Sequence, residues 1–457
     1  MPTDRVPGRR RPGRPGPKRA RAATRVKRPT PGADANPGHL LVSAELARTP
    51  ADDAAFALDL VRRYRQRHFE DGLVLYAGAN LPSPASQRAA DAWLGAMPAG
   101  GRPGAKDQPG SAEVSALEIA VERQLCDIFG SAWADARPAS GTMANLAVYA
   151  AFLRPGDTIC AIAPEHGGHY SHHAHGAPAM FGADIQYLPF DVARLTLDDA
   201  KAAEAVRHRR PRLVMLGASL FLFPYRVPQT VAAARDVGAK IVYDAAHVAG
   251  LIAGGRFQNP LEIGADIVTA STYKTMAGGA GGFVFGHDEA DAEKIRTALY
   301  PVLTTNYDAG RLAAFAVTLA ETRAFMADHA AAVVANARAL ADGFRKRNVA
   351  VLADTNGEAT ATHQVAVPLG EKAAARAASQ RLEEAGIFVG ASAMPGAGHG
   401  LRFGSQIATR RGMGTPEMDE IAAIVAGVLG GGAVATAKRK IRVLARRFRR
   451  LAYCFRT

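Results

Sequence analysis

The chain has 457 residues, 48% hydrophobic and 21% charged, a balance that suits packed globular domains and excludes a fibrous or wholly disordered protein. Its net charge of +14 sits at the two ends: residues 1–32 hold eleven Lys/Arg against Asp4, residues 431–457 hold nine and no acid, and the body between carries −5. No apolar run is long enough to span a bilayer, and Cys126, Cys160 and Cys454 have neither metal nor disulfide spacing, which points to a reduced, cytoplasmic setting.

Residues 1–43 are rich in Arg, Pro and Gly and cannot bury a core, so they are expected to form a disordered basic tail. A solvated segment is the simplest reading of it, with attraction to nucleic acid as the alternative. Residues 44–69 have the pattern of an N-terminal helical arm. From 70 to 325 short apolar runs alternate with helical stretches, as in 158–166, 212–220 and 239–247. This alternation predicts an α/β fold, a mostly parallel sheet flanked by helices. The Ala-rich stretch 311–346 reads as a long helix leading into a smaller C-terminal α/β domain, 326–430. That domain should contain a strand at 363–369, a helix at 371–385 and a strand near Leu401 to Gly404. In 431–457, Ile441, Leu444, Phe448, Leu451 and Phe455 recur at three- and four-residue steps, the pattern of a basic amphipathic tail. Such a helix can lie on an anionic membrane surface or pack on its own body or a partner subunit.

The chemistry concentrates between Tyr243 and Gly286. One apolar strand ends at Asp244, with His247 three residues on; a second, Ala265 to Ser271, leads to Lys274 and a glycine-rich turn. A carboxylate and a lysine at neighbouring strand ends can hold a pyridine cofactor between them, the lysine linked to it and the carboxylate keeping its ring nitrogen protonated. Upstream, Ser140, Gly141 and Thr142 introduce a helix near Met143, a suitable cradle for a phosphate. The segment 165–175 holds five histidines, but their spacing matches no closed metal site and no metal is expected. Of these, His169 is the candidate to stack on a cofactor ring, and His172, His173 and His175 are expected to be solvated or helix-capping. Arg402, on a strand of the smaller domain, suits an amino-acid carboxylate; Arg410 and Arg411 are expected to be structural or solvent-facing.

Together these segments resemble serine hydroxymethyltransferase from about residue 70 to 428, in the family's order, with D-x-A-H-V-A-G-L and T-x-K-T the most specific blocks. The resemblance implies a fold-type-I pyridoxal 5'-phosphate enzyme, acting as a homodimer on a small amino acid. Lys274 would be the cofactor-linked lysine, Asp244 the pyridinium partner and His169 the stacking histidine. Ser219 and His247 would lie near the phenolic oxygen, Ser140 to Thr142 and Thr272 against the cofactor, and Arg402 and Tyr273 at the substrate. The departures lie on the folate side. The family's S-E-N-x-x-S-P is GANLPSP (78–84), its folate-linked acid falls at Gly100 and its paired tyrosines at Asp107 and Gln108. Tyr273 replaces a histidine, Ala280 an arginine, and Val302 to Asn306 a glycine-rich segment. These losses put tetrahydrofolate in doubt and favour a folate-independent aldolase or transaldolase. The alternatives are a true folate-dependent hydroxymethyltransferase and, from another class, a scaffold that binds nucleic acid or membrane through its basic ends.

Overall fold

The computed structural model describes residues 49–456; the basic run 1–43 and the first residues of the expected arm lie outside them. The backbone divides at Val61/Arg62. Apart from Thr49, the described residues before the division belong to helix α1 (Pro50–Arg65), which buries no side chain. All that follows concerns the unit that begins at Arg62.

Seven strands form the main sheet: β1 (Trp133–Asp135), β2 (Thr158–Ala161), β3 (Asp184–Tyr187), β4 (Leu213–Leu216), β5 (Lys240–Asp244), β6 (Ile267–Ser271) and β7 (Gly282–Gly286). Their spatial order is β1-β7-β6-β5-β4-β2-β3. Only β7 runs against its neighbours, β6 and β1. The apolar runs are continuous because both faces are covered. Val214, Leu216, Ile241 and Tyr243 join the core on one face, whereas Leu213, Met215 and Val242 join the core on the other. Helix α2 (Ala112–Phe129) stops at Gly130, whose φ of 67° supplies the left-handed C-terminal turn. Helix α3 (Gly141–Phe152) starts at the cap Ser140, whose Oγ accepts from the Met143 N–H at 3.1 Å.

Helix α4 (Ala309–Arg345) leads to a second sheet of β8 (Gln364–Gly370), β9 (Gly390–Met394) and β10 (Gly398–Gly404), antiparallel and ordered β8-β10-β9. Helices α5 (Lys372–Glu384), α6 (Thr415–Leu429) and α7 (Val434–Arg447) share its core with β8 and β10. The apolar face of α7 is spent within the body. Ile441 and Leu444 are fully buried there, worth about 1.5–3 kcal/mol each. The pairs of Arg442 and Arg446 with Asp71 are partly exposed and contribute about 0–1 kcal/mol apiece. Apolar burial therefore seats this helix, which ends at Arg447, so Leu451 and Phe455, expected on the same helical face, lie beyond it and Phe455 is exposed.

Arg410 and Arg411 are both buried, which removes the solvent-facing alternative. Arg410 pairs with the buried Glu321 at 3.2 Å. Arg411 donates to the carbonyls of Phe69, Gly72, Ala445 and Phe448, tying α7 to the segment that precedes the sheet.

Candidate active site

In open α/β sheets ligands bind beyond the carboxyl ends of the strands, and the expected residues gather there. Asp244 closes β5 in register with Thr269 of β6. After β4 the chain turns through Gly217, whose φ is 123° and whose absent Cβ would stand 2.3 Å from the Asp244 carbonyl. Only glycine lets the two strand ends approach so closely. Lys274 follows β6 in a turn held by two threonines. The Thr275 hydroxyl donates to the His247 carbonyl at 2.9 Å and the Thr272 hydroxyl to the Gly279 carbonyl at 2.5 Å. These bonds bracket the lysine and fasten its turn to the end of β5.

One cavity is lined by Lys274, Asp244, His169, His247, Ser219, Tyr273 and the Ser140–Gly141–Thr142 cap. Thr272 is buried beneath it, its hydroxyl engaged in the turn, and Arg402 stands beside it, bonded through Nη1 to the Ser219 carbonyl. Arg402 also lies 5.9 Å from the centre of the Tyr76 ring, and its buried Nε has no partner among the described residues.

Asp244 is the best-supported group of the cavity. Asn145 Nδ2 donates to its Oδ2 at 2.8 Å, His172 Nε2 to the same oxygen at 3.0 Å, and the Ala246 N–H to Oδ1 at 2.9 Å. Burial acts to raise this carboxyl, but the bond and charge of His172, the Lys274 ammonium and Asn145 outweigh it and hold it well below the usual carboxylate range. The expectation of solvated or capping roles for His172 and His173 is therefore corrected: both are buried, and His172 is a direct partner of Asp244, while His175 is exposed. A carboxylate can only accept, so His172 carries its proton on Nε2.

Asn145 extends the network. Its Oδ1 accepts from Thr269 Oγ1 at 2.6 Å, and its Nδ2 also lies 3.0 Å from Ser171 Oγ. The Ser171 N–H donates to His169 Nδ1 at 3.1 Å. His169 is thereby held at its Nδ1 edge, and burial lowers its imidazole to about 4, so it is neutral at physiological pH. Burial also pushes the Lys274 ammonium down to about 8, against the opposing pull of Asp244. A lysine of this kind exchanges its proton near neutrality, the property required of a reactive amine.

The sequence reading does not single out Asn145 and Ser171, which line the cavity. Asn145 lies one turn into the helix that the Ser140 cap announces, so its position along that helix was the one local signal for it.

The segment where the folate-linked residues would fall does not line this cavity. The Gly100 N–H donates to Gln108 Oε1 at 2.8 Å and Tyr300 OH bonds Asp107. A Cβ at Gly100 would stand 2.9 Å from the Tyr300 ring and 3.1 Å from the Thr305 carbonyl.

These features fit pyridoxal phosphate by their chemistry. The cavity offers an amine of lowered pKa, an ionised carboxylate kept buried for a cationic partner, a neutral imidazole, and a helix start whose first N–H groups lie outside the helical ladder. Fold and cavity thus define a fold-type-I α/β enzyme of the pyridoxal-phosphate class. The comparisons agree. A family model described as serine hydroxymethyltransferase matches residues 51–425. A serine hydroxymethyltransferase of Methanopyrus kandleri is 37% identical over 406 residues, 87% of this chain and 94% of the relative. An α-methylserine aldolase of Variovorax paradoxus is 36% identical over 422 residues, 91% of this chain and 96% of the relative. The crystal structure of an L-threonine transaldolase from Pseudomonas fluorescens superposes with a TM-score of 0.84 at 27% identity, covering 92% of this chain and 96% of that one. The chain belongs to the serine hydroxymethyltransferase family and is a pyridoxal-phosphate-dependent enzyme.

Proposed function

We propose that the enzyme makes or breaks the Cα–Cβ bond of a small β-hydroxy-α-amino acid without folate, as an aldolase or transaldolase. One observation carries this reading. Asp244 is the sole carboxylate among the described residues lining the cavity, and Gly100 stands where the folate-linked acid would fall, closed in by Tyr300. Relatives named α-methylserine aldolase and a structural neighbour named L-threonine transaldolase support it.

In this reading the Ser140–Thr142 helix start holds the phosphate, Asp244 the ring nitrogen, His169 one ring face, and Ser219 and His247 the phenolic oxygen. Bound there, pyridoxal phosphate supplies a sink for the electron pair left on Cα when a bond to it breaks. Lys274 anchors the cofactor and, with its amine near 8, takes and returns a proton at the reacting carbon or the β-hydroxyl. Arg402 grips the substrate carboxylate, beside Tyr273. His172 and Asn145 keep Asp244 charged and aimed. Cleavage moves the β-hydroxyl proton to a base of the protein, leaves the Cα–Cβ pair on Cα and releases an aldehyde.

The same reading includes a homodimer, in keeping with the family, and a reducing cytoplasmic setting. Cys126, Cys160 and Cys454 are free thiols, and no helix among the described residues is long and apolar enough to cross a membrane. The test is aldehyde release from threonine, serine and α-methylserine by cofactor-loaded enzyme, followed with and without tetrahydrofolate. Release from at least one of them that folate leaves unchanged is expected; release that requires folate would make the enzyme a hydroxymethyltransferase.

A further inference from the structure

Strand β8 meets two residues that line the cavity, Ser219 and His247, through Gln364, a fully buried residue at its first position. The Phe221 N–H, from the loop that follows β4, donates to Gln364 Oε1 at 2.9 Å. A backbone N–H can only donate, so the amide oxygen faces Phe221 and the NH2 group faces the opposite way. Its two hydrogens have two acceptors, the Ser219 carbonyl at 3.0 Å and His247 Nδ1 at 3.0 Å. His363 Nε2, 3.5 Å away, is no competitor, because it donates to the Ala77 carbonyl at 3.1 Å. Every polar atom of Gln364 is therefore assigned.

Two consequences follow. His247 Nδ1 receives a hydrogen, so the imidazole carries its own on Nε2. The Ser219 carbonyl, which takes one hydrogen from Gln364, takes another from Arg402 Nη1. A single amide thus touches the histidine on the cofactor side and the carbonyl that seats the arginine on the substrate side. We propose that Gln364 is a positioning residue that fixes His247 as an Nε2–H donor and, through the shared Ser219 carbonyl, holds Arg402 in register with it. The assignment of those two sides rests on the proposed function above.

The choice of an amide at this position has a physical reason. Around His247 stand the cationic Lys274 and Arg402 and the imidazoles of His363 and His169, and Asp244 and Tyr273 line the same cavity. Burial first of all, and after it the cations and imidazoles, hold the His247 imidazole well below its ordinary value, and an amide donor at Nδ1 blocks protonation there without adding charge. A carboxylate in its place would invite a proton onto Nδ1 and compete with the substrate for Arg402.

Two variants separate positioning from mere packing. Gln364→Glu keeps the volume and the acceptor for the Phe221 N–H but turns a second oxygen toward His247 Nδ1. Gln364→Met removes both functions. The first readout uses apo-protein with ¹⁵N-labelled histidine, the His247 signals being assigned by their loss in His247→Gln. In the parent, Nδ1 should be unprotonated and Nε2 protonated from pH 6 to 9; in Gln364→Glu a proton should appear on Nδ1. The second readout is kinetic, on loaded enzyme. Gln364→Glu should raise KM for the amino acid about tenfold, the order expected when a hydrogen bond to a charged group is compromised, and should move the pH profile of kcat. A parent His247 protonated on Nδ1 would overturn the proposal. So would a Gln364→Glu enzyme with unchanged protonation, KM and pH profile beside a destabilised Gln364→Met, which would make Gln364 a packing residue. Failure of the proposed reaction reveals itself separately, as absence of aldehyde release in the parent while its His247 protonation is as stated.

Discussion

Lys274 is held in the folded chain at a cost that substitution can expose. Burial lowers its ammonium from the ordinary 10.5 to about 8. At about 1.4 kcal/mol per pH unit, the charged form is disfavoured by about 3 kcal/mol on folding. The folded value lies below the unfolded one, so between about pH 8 and 10.5 the unfolded chain binds the extra proton and stability rises with pH. Below pH 8 the full cost is present. Lys274→Met keeps most of the volume and discards the charge. The variant apo-protein should therefore be more stable than the parent at pH 7, by up to about 3 kcal/mol, and the advantage should vanish near pH 10.5. Urea unfolding of both apo-proteins at the two pH values measures this, and differences between them cancel the titration of other groups. A variant less stable than the parent at pH 7, or a difference that ignores pH, would refute the argument.

His172→Leu should weaken pyridoxal-phosphate binding about tenfold or more, since it removes one of three hydrogens on Asp244; His172→Gln, which can still donate, should recover part of it in an absorbance titration. Gly141→Ala would place a Cβ 2.5 Å from Ser271 Oγ, and the displacement should cost about 1–3 kcal/mol of stability together with cofactor retention, read by thermal unfolding and dialysis. Arg410→Met should destabilise by about 3–5 kcal/mol, because it strands the buried Glu321, and the double variant with Glu321→Leu should regain most of that in thermal unfolding.

Much of the architecture was legible because it is local. The runs at 213–216 and 241–243 are continuously apolar and end in turns, and they lie in strands of the main sheet. The S-G-T of residues 140–142 marks the start of α3, where a cap hydroxyl meets the third residue beyond it. The reversed direction of β7 was not legible, because a short apolar strand reads alike either way along the chain. The partners of Asp244 were hidden for another reason. Asn145 and His172 stand 99 and 72 residues before it, and Gln364 stands 117 beyond His247, so only the closed sheet brings them together. Histidines in a polar, glycine-rich run read as solvated, but a buried carboxylate needs donors, and two elements folded inward supply them. For residues 441–444 the spacing gave the apolar face of α7 but not the surface that receives it, which is built from strands and helices elsewhere in the chain.

The most direct test of the central claim is exchange of the glycine α-proton in deuterated buffer, followed by NMR with cofactor-loaded enzyme in the presence and absence of tetrahydrofolate. Exchange at the same rate without folate is predicted, because the groups around Lys274 hold and move the proton themselves. Exchange that appears only with tetrahydrofolate, or none under either condition, would contradict it.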